Sequence, residues 1–137
     1  MTRQQPKYAI EDFIKDCQDK ENIAVEYGVL ASATKDFMLR TKSELLAFIT
    51  NGKMEELEFI NSIPYRNSNE IPQPFCDAYT FKSGYSSGYI SLFVSQKSKK
   101  WVIKSFHRSK EGDTTLALAL EKAGLCLRNR KRGGYDG

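Results

Sequence analysis

An α+β fold is the class this sequence predicts: N-terminal helices, then a small antiparallel sheet of three to four strands, then a C-terminal helix. Three observations carry that reading. Apolar residues ahead of Pro64 recur mostly at helical spacing. Beyond Pro74 the period changes to two, the spacing of a strand with one face buried. After the last such run, "GDTTLALALEKAG" returns to a helical pattern, with a start at Asp113 or Thr114 and a stop at Gly124.

Residues 7–20 are predicted helical, because Pro6 suits a first turn and Ile10, Phe13, Ile14 and Cys17 recur at helical spacing. "NIAVEYG" fits a short strand or a loop, and "SATKDFML" a helix. "TKSELLAFITNG" gives the clearest helix, over 42–50: Thr41 and Glu44 make a capping box and Asn51-Gly52 end it. "MEELEFINSI" is ambiguous between helix and strand by period, and Pro64 stops it. "YRNSNEIPQP" is a loop. Strands are predicted at 75–81, 89–95 and 101–107, the last two joined into a hairpin by the polar turn "QKSKK". On the second strand Ile90, Leu92 and Val94 share the apolar face, which leaves Tyr89 and Ser91 on the wetter one. On the third, His107 is expected to share a face with Ser105, Ile103 and Trp101, and Arg108 and Lys104 with Phe106 and Val102. Residues 1–127 read as one α+β domain and 128–137 as a basic flexible tail.

The chain of 137 residues is long enough for one hydrophobic core. "MTRQQPK" is followed by no long apolar run, so it does not read as a signal peptide, and no stretch approaches the length of a membrane span. Cys17, Cys76 and Cys126 are odd in number and widely spaced, the pattern of reduced thiols in a cytoplasmic protein. The net charge of +4 is unevenly spread. Residues 1–96 carry 10 Lys/Arg against 13 Asp/Glu, and residues 97–137 carry 11 against 4. A basic C-terminal third suits a polyanion partner, although a charge run is more commonly a solubilising surface.

No P-loop, GxGxxG or GxSxG is present, and one histidine with scattered cysteines does not supply the ligands of a typical zinc site. No cofactor or metal is therefore expected. What remains is a sheet face with cations, tyrosines and the sole imidazole, His107, at the end of "WVIKSFH". Such a face can bind a phosphate, stack a base and move a proton. RNA carries its own nucleophile, the ribose 2′-OH, so a protein need only deprotonate it, stabilise the phosphorane and protonate the leaving oxygen.

The arrangement "YRNSNEIPQPFCDAYTF…GYISLFVSQKSKKWVIKSFH" resembles the MqsR branch of the RelE-like toxin ribonucleases, within the broader barnase, colicin D and RelE-like superfamily. The resemblance spans roughly residues 63–108. It implies helices ahead of a small sheet and metal-independent RNA cleavage by residues spread over that sheet. Tyr65-Arg66 matches the family's tyrosine-lysine pair, "FCDAY" its second element, and "SFH" its end, with His107 in the place of a lysine. The family's catalytic glutamine falls on Cys76, and its catalytic tyrosine on Ser91, with Tyr89 two residues earlier on the same face. The expectation is a toxin-like endoribonuclease acting in the cytoplasm, with His107, Arg66 and Tyr89 catalytic. Lys82, Tyr79, Lys104, Arg108, Arg128, Arg130, Lys131 and Arg132 are expected to bind RNA, and a cognate antitoxin or immunity protein is a candidate partner. The alternative is a non-catalytic RNA- or protein-binding module of the accessory or immunity type.

Overall fold

The computed structural model describes residues 3–66 and 68–109, and within them the helical first half and the pleated second half meet as one α+β unit. The elements run α1 (Ile10–Asp16), a 3₁₀ turn (Lys20–Asn22), β1 (Ile23–Val25), α2 (Val29–Phe37), α3 (Lys42–Thr50), β2 (Glu55–Pro64), β3 (Phe75–Ser83), β4 (Ser86–Val94) and β5 (Trp101–Arg108). The five strands form one sheet in the order β1-β5-β4-β3-β2. The predicted C-terminal helix and basic tail lie outside the described residues, as do Arg128, Arg130, Lys131 and Arg132.

Helix α1, predicted over 7–20, ends at Asp16 and starts late because of a competing acceptor. The backbone N–H groups of Lys7 and Tyr8 donate to the two carboxylate oxygens of Asp77 on β3, at 3.1 and 2.9 Å. That segment is held as an extended lead-in, and the helix starts only at Ile10. Helix α3 matches its prediction. The Thr41 hydroxyl accepts from the Glu44 N–H at 3.1 Å, and the Glu44 side chain accepts from the N–H of Arg40, one residue before the cap. Gly28 opens α2 at φ +90°, a conformation few L side chains adopt.

The helices cover one face of the sheet. Phe13, Leu45 and Ile49 pack there against Phe81, Ile90, Leu92, Ile103 and Phe106. Phe37, Phe48, Phe81 and Phe106 meet at ring separations of 5.2–6.2 Å, mostly edge-on or tilted. Trp101 joins α1 to β5, its indole N–H donating to Asp16 at 2.8 Å.

The sheet differs from the predicted antiparallel set of three to four strands in two ways. β1, three residues long, pairs parallel to β5, from Ile23 opposite Trp101 to Val25 opposite Ile103, so the sheet is mixed. β2 is a fifth strand on the far edge, antiparallel to β3. Its ladder is irregular between Glu55 and Glu58 and again between Phe59 and Asn61. Those irregularities break the two-residue alternation, which is why "MEELEFINSI" carries no clean period.

Candidate functional site

The face of the sheet away from the helices is where the chemistry-bearing side chains gather, and a bulge in β5 decides which ones. Ser91 pairs with Ser105 but Leu92 pairs with Ile103, so Lys104 is an extra residue in the ladder. The bulge corrects the expected facing of β5. Val102, Lys104, Ser105 and His107 lie on the open face, whereas Trp101, Ile103, Phe106 and Arg108 lie on the helical one. An unbroken period of two would have kept Val102, Lys104 and Phe106 on one face; the bulge sends Phe106 to the helical one.

Registered pairing arranges the open face in rows across the strands. Asn61, Ala78, Ser91 and Ser105 form one row across β2 to β5. Thr80, Tyr89 and His107 form the next, toward the β3–β4 turn. On the other side, Cys76, Phe93 and Val102 make a small apolar cluster. The central row is made of small side chains between rows of larger ones, which hollows the face.

The loop after β2 roofs one end of the hollow. Tyr65 leaves the edge strand and lies over the middle of the sheet, its ring 5.3 Å from that of Phe93, its hydroxyl donating to Glu26 at 3.0 Å. Burial, then the Glu26 carboxylate, raises the pKa of that hydroxyl. The Lys104 ammonium sits 5.2 Å from the centre of the Tyr65 ring. Further along, Glu70 accepts from the Ser95 hydroxyl at 2.5 Å and the Gln96 N–H at 2.8 Å, tying the loop to the β4–β5 turn. Those two hydrogen bonds hold the Glu70 carboxyl below its usual range.

The result is a cleft of about 380 Å³. Its floor is Cys76, Ala78 and Ser91; Tyr65 and Tyr89 wall it; Arg66 and Lys104 bring cations to it; Asn61, Ile63 and Pro64 close the β2 side. Ser91 is 1% exposed, and its Oγ makes no hydrogen bond. The neighbouring Cys76 thiol feels that hydroxyl, but their contact falls short of hydrogen-bond geometry. Burial raises the Cys76 pKa, with the Lys104 charge pulling the other way. A protonated, enclosed thiol is a poor nucleophile, and β4 separates it from His107.

His107 stands just outside this lining. It is half-buried at the end of β5 and stacks on Tyr89, with ring centres 5.0 Å apart and planes at 15°. Its Nδ1 lies 2.7 Å from the Arg108 carbonyl oxygen. A carbonyl only accepts, so Nδ1 carries the hydrogen there and the neutral ring leaves Nε2 bare to take a proton.

Of the residues singled out in the sequence, Arg66, Tyr89 and Lys104 are brought to the cleft and His107 to its border. Lys82 is exposed on the same face, near the β3–β4 turn and outside the cleft. Tyr79 is 4% exposed on the helical face, its ring 5.6 Å from that of Phe59, so it offers nothing to a ligand on the open face. Burial and the nearby Asp77 carboxylate push its hydroxyl up to about 12. Arg108 belongs to the helical face as well, its backbone N–H donating to Asp36 at 2.9 Å. Asn61, Tyr65 and Ser91 were not among the expected site residues. A signal for Ser91 was present, since a small residue alternates with two aromatics in "YISLF". Comparison of the chain with protein-family models, with curated proteins and with solved structures finds no match.

Proposed function

We propose that the protein is an endoribonuclease of the toxin type that cleaves RNA through the substrate's own 2′-OH, with His107 as the proton-transfer residue. One observation carries the reading. The sole imidazole, with Nδ1 tied to a carbonyl, stacks on a tyrosine that lines a cleft bearing Arg66 and Lys104. In the proposed step His107 Nε2 takes the 2′-hydroxyl proton, the 2′-oxygen attacks phosphorus, and the bond to the 5′-oxygen breaks. A proton delivered to that oxygen by the imidazolium or the Tyr89 hydroxyl completes the balance. The products are a 2′,3′-cyclic phosphate and a 5′-hydroxyl. Arg66, with its planar fork, and Lys104 offset the charge that builds on the phosphorane. The nucleophile is part of the substrate, so the reaction asks nothing of a cofactor. The arrangement of helices ahead of a small sheet is also what the resemblance to RelE-like toxins implies. An active nuclease of this kind acts on cytoplasmic RNA and calls for a neutralising protein partner.

A second reading has its own observation. The cleft floor is Ser91 and Cys76, without a titratable group suited to neutral pH, and His107 lies outside the lining. A binding module that holds RNA without cutting it fits that floor. The two separate in one experiment. Purified protein is incubated with single-stranded RNA in chelator, and the products are examined for cyclic phosphate ends. Cleavage is expected, with His107→Ala lowering the rate by about 10²- to 10⁴-fold while binding and melting temperature stay near wild type. Affinity should fall steeply with added salt, because phosphate contacts release counterions. Full activity in His107→Ala overturns the mechanism; RNA bound but never cut selects the binding module.

A further inference from the structure

Ser91 is the residue that proton transfer leaves unused. Its hydroxyl is buried, makes no hydrogen bond and forms part of the cleft floor. A buried polar atom without a partner costs stability, so such atoms are rare in native proteins, and a ligand that comes and goes is one reason to keep one. The surroundings define what would fit. Ala78 and Ser105 stand beside Ser91 on the adjacent strands, which makes a dent one small side chain deep across β3, β4 and β5. Tyr89 closes the dent at one end, and Tyr65, seated on Phe93, closes it at the other. Tyr89 and Phe93 are four residues apart on one strand, roughly 13 Å, which leaves space for one flat ring rather than a stack of several. The cleft volume, about 380 Å³, is at the small end of the roughly 300–1,000 Å³ typical of small-molecule sites.

We propose that this dent is a nucleobase pocket, which takes one splayed-out base of single-stranded RNA and so selects the nucleotide at which the chain is cut. This deepens the ribonuclease reading above and rests on it. A base is flat and apolar on its faces and carries donors and acceptors on its edge. Aromatic walls with a single unpaired hydroxyl on the floor match that distribution. Ser91 Oγ, both donor and acceptor, reads the edge, and the Asn61 amide stands in the same row of the sheet to read a second position. Arg66 and Lys104 flank the pocket where the phosphate of the inserted nucleotide would sit. Tyr89 is shared: it walls the pocket on one side and carries the stacked His107 beside it.

The test uses the full chain and the four nucleoside 3′-monophosphates as probes, followed through the backbone amide NMR signals of Ala78, Ser91 and Ser105. One or two of the four should shift these signals strongly and saturably. Ser91→Ala removes the hydroxyl without adding bulk, so it should fold, melt no lower than wild type, and lose about threefold to tenfold in affinity for the preferred nucleotide. Ser91→Val fills the dent and should abolish those shifts; its melting curve shows whether it is folded. In RNA cutting, an abasic nucleotide at the preferred position should protect that site, and Ser91→Ala should flatten the base preference at unchanged salt dependence. Equal response to all four nucleotides, or an unchanged preference in folded Ser91→Ala, overturns the pocket. Loss of cleavage selectivity in Ser91→Ala, with His107→Ala still fully active, would sink the proton-transfer mechanism and leave the pocket standing. His107-dependent cleavage with no base preference would do the reverse.

Discussion

Asp77 shows how one side chain can set a chain's path. It is 0% exposed, lies on the helical face of β3, and spends both carboxylate oxygens on the backbone of the N-terminal lead-in. The Tyr8 hydroxyl secures the same contact by donating to the Phe75 carbonyl at 2.7 Å. Asp77→Ala would strand two N–H groups and leave a void. We expect a loss of about 3 kcal/mol in urea unfolding, since bonds to a charged acceptor are worth more than neutral ones. A loss below about half a kcal/mol would mean that water satisfies the lead-in. His107, by contrast, is half-buried and bonded to a neighbouring carbonyl, so its replacement should cost little stability, and on the proposed mechanism the loss would be in activity.

Element by element, two local devices can be checked by substitution. Thr41 caps α3, whose first turn also holds Glu44, an acidic residue at the positive end of the helix dipole. Thr41→Ala should cost about 1 kcal/mol in stability, and Thr41→Ser should recover most of it; equal melting points for the three would show the cap to be idle. Gly88 is the stronger case. It pairs with Phe81 across β3 and β4, and a Cβ there would lie 2.1 Å from the Phe81 ring. Phe81 is fully buried among Phe37, Phe48 and Phe106, so it has nowhere to go. Gly88→Ala should therefore cost about 3 kcal/mol, read as a large drop in denaturation midpoint. A near-normal midpoint would mean the hairpin can shift at that pair.

For the molecule as a whole, alkaline pH tests how the core is sealed. Burial raises the pKa of Cys17 to about 12, with the Asp16 carboxylate adding to it, and that of Tyr79 to about 12. Tyr8 and Tyr65 shift the same way, burial first. Each of these groups binds its proton more tightly when folded than when unfolded. Their contribution is thus complete below the unfolded values, 9.0 for the thiol and 10.0 for the phenols, and is lost as pH climbs through the folded ones. These groups add no pH dependence between neutrality and pH 9.0, and the melting temperature should fall steadily from there toward about 12. A flat profile across that window would mean these side chains open to water without unfolding. Among the described residues no helix is long and apolar enough to cross a membrane.

What the sequence determined alone are the features written within a few residues of each other. The cap of α3, its stop at Asn51-Gly52, the strands β3, β4 and β5 and the facing of Ile90, Leu92 and Tyr89 all follow from local period and hydrogen bonding. So did Arg66, Tyr89 and His107 as candidates, because residue type and position at a strand end are local facts. The tertiary structure alone decided the rest. A pattern of two gives the side on which a residue lies only while the ladder is unbroken, and Lys104 breaks it because β4 and β5 differ by one residue between matched pairs. The pairing of β1 with β5, and the crossing of Tyr65 over Phe93 and Lys104, depend on contacts far apart in the chain. The hollow at Ser91 exists because small residues from four strands fall in one row. Each strand carries its own small residue openly in its sequence, but the row is a property of register, and register is fixed by packing between strands rather than within them.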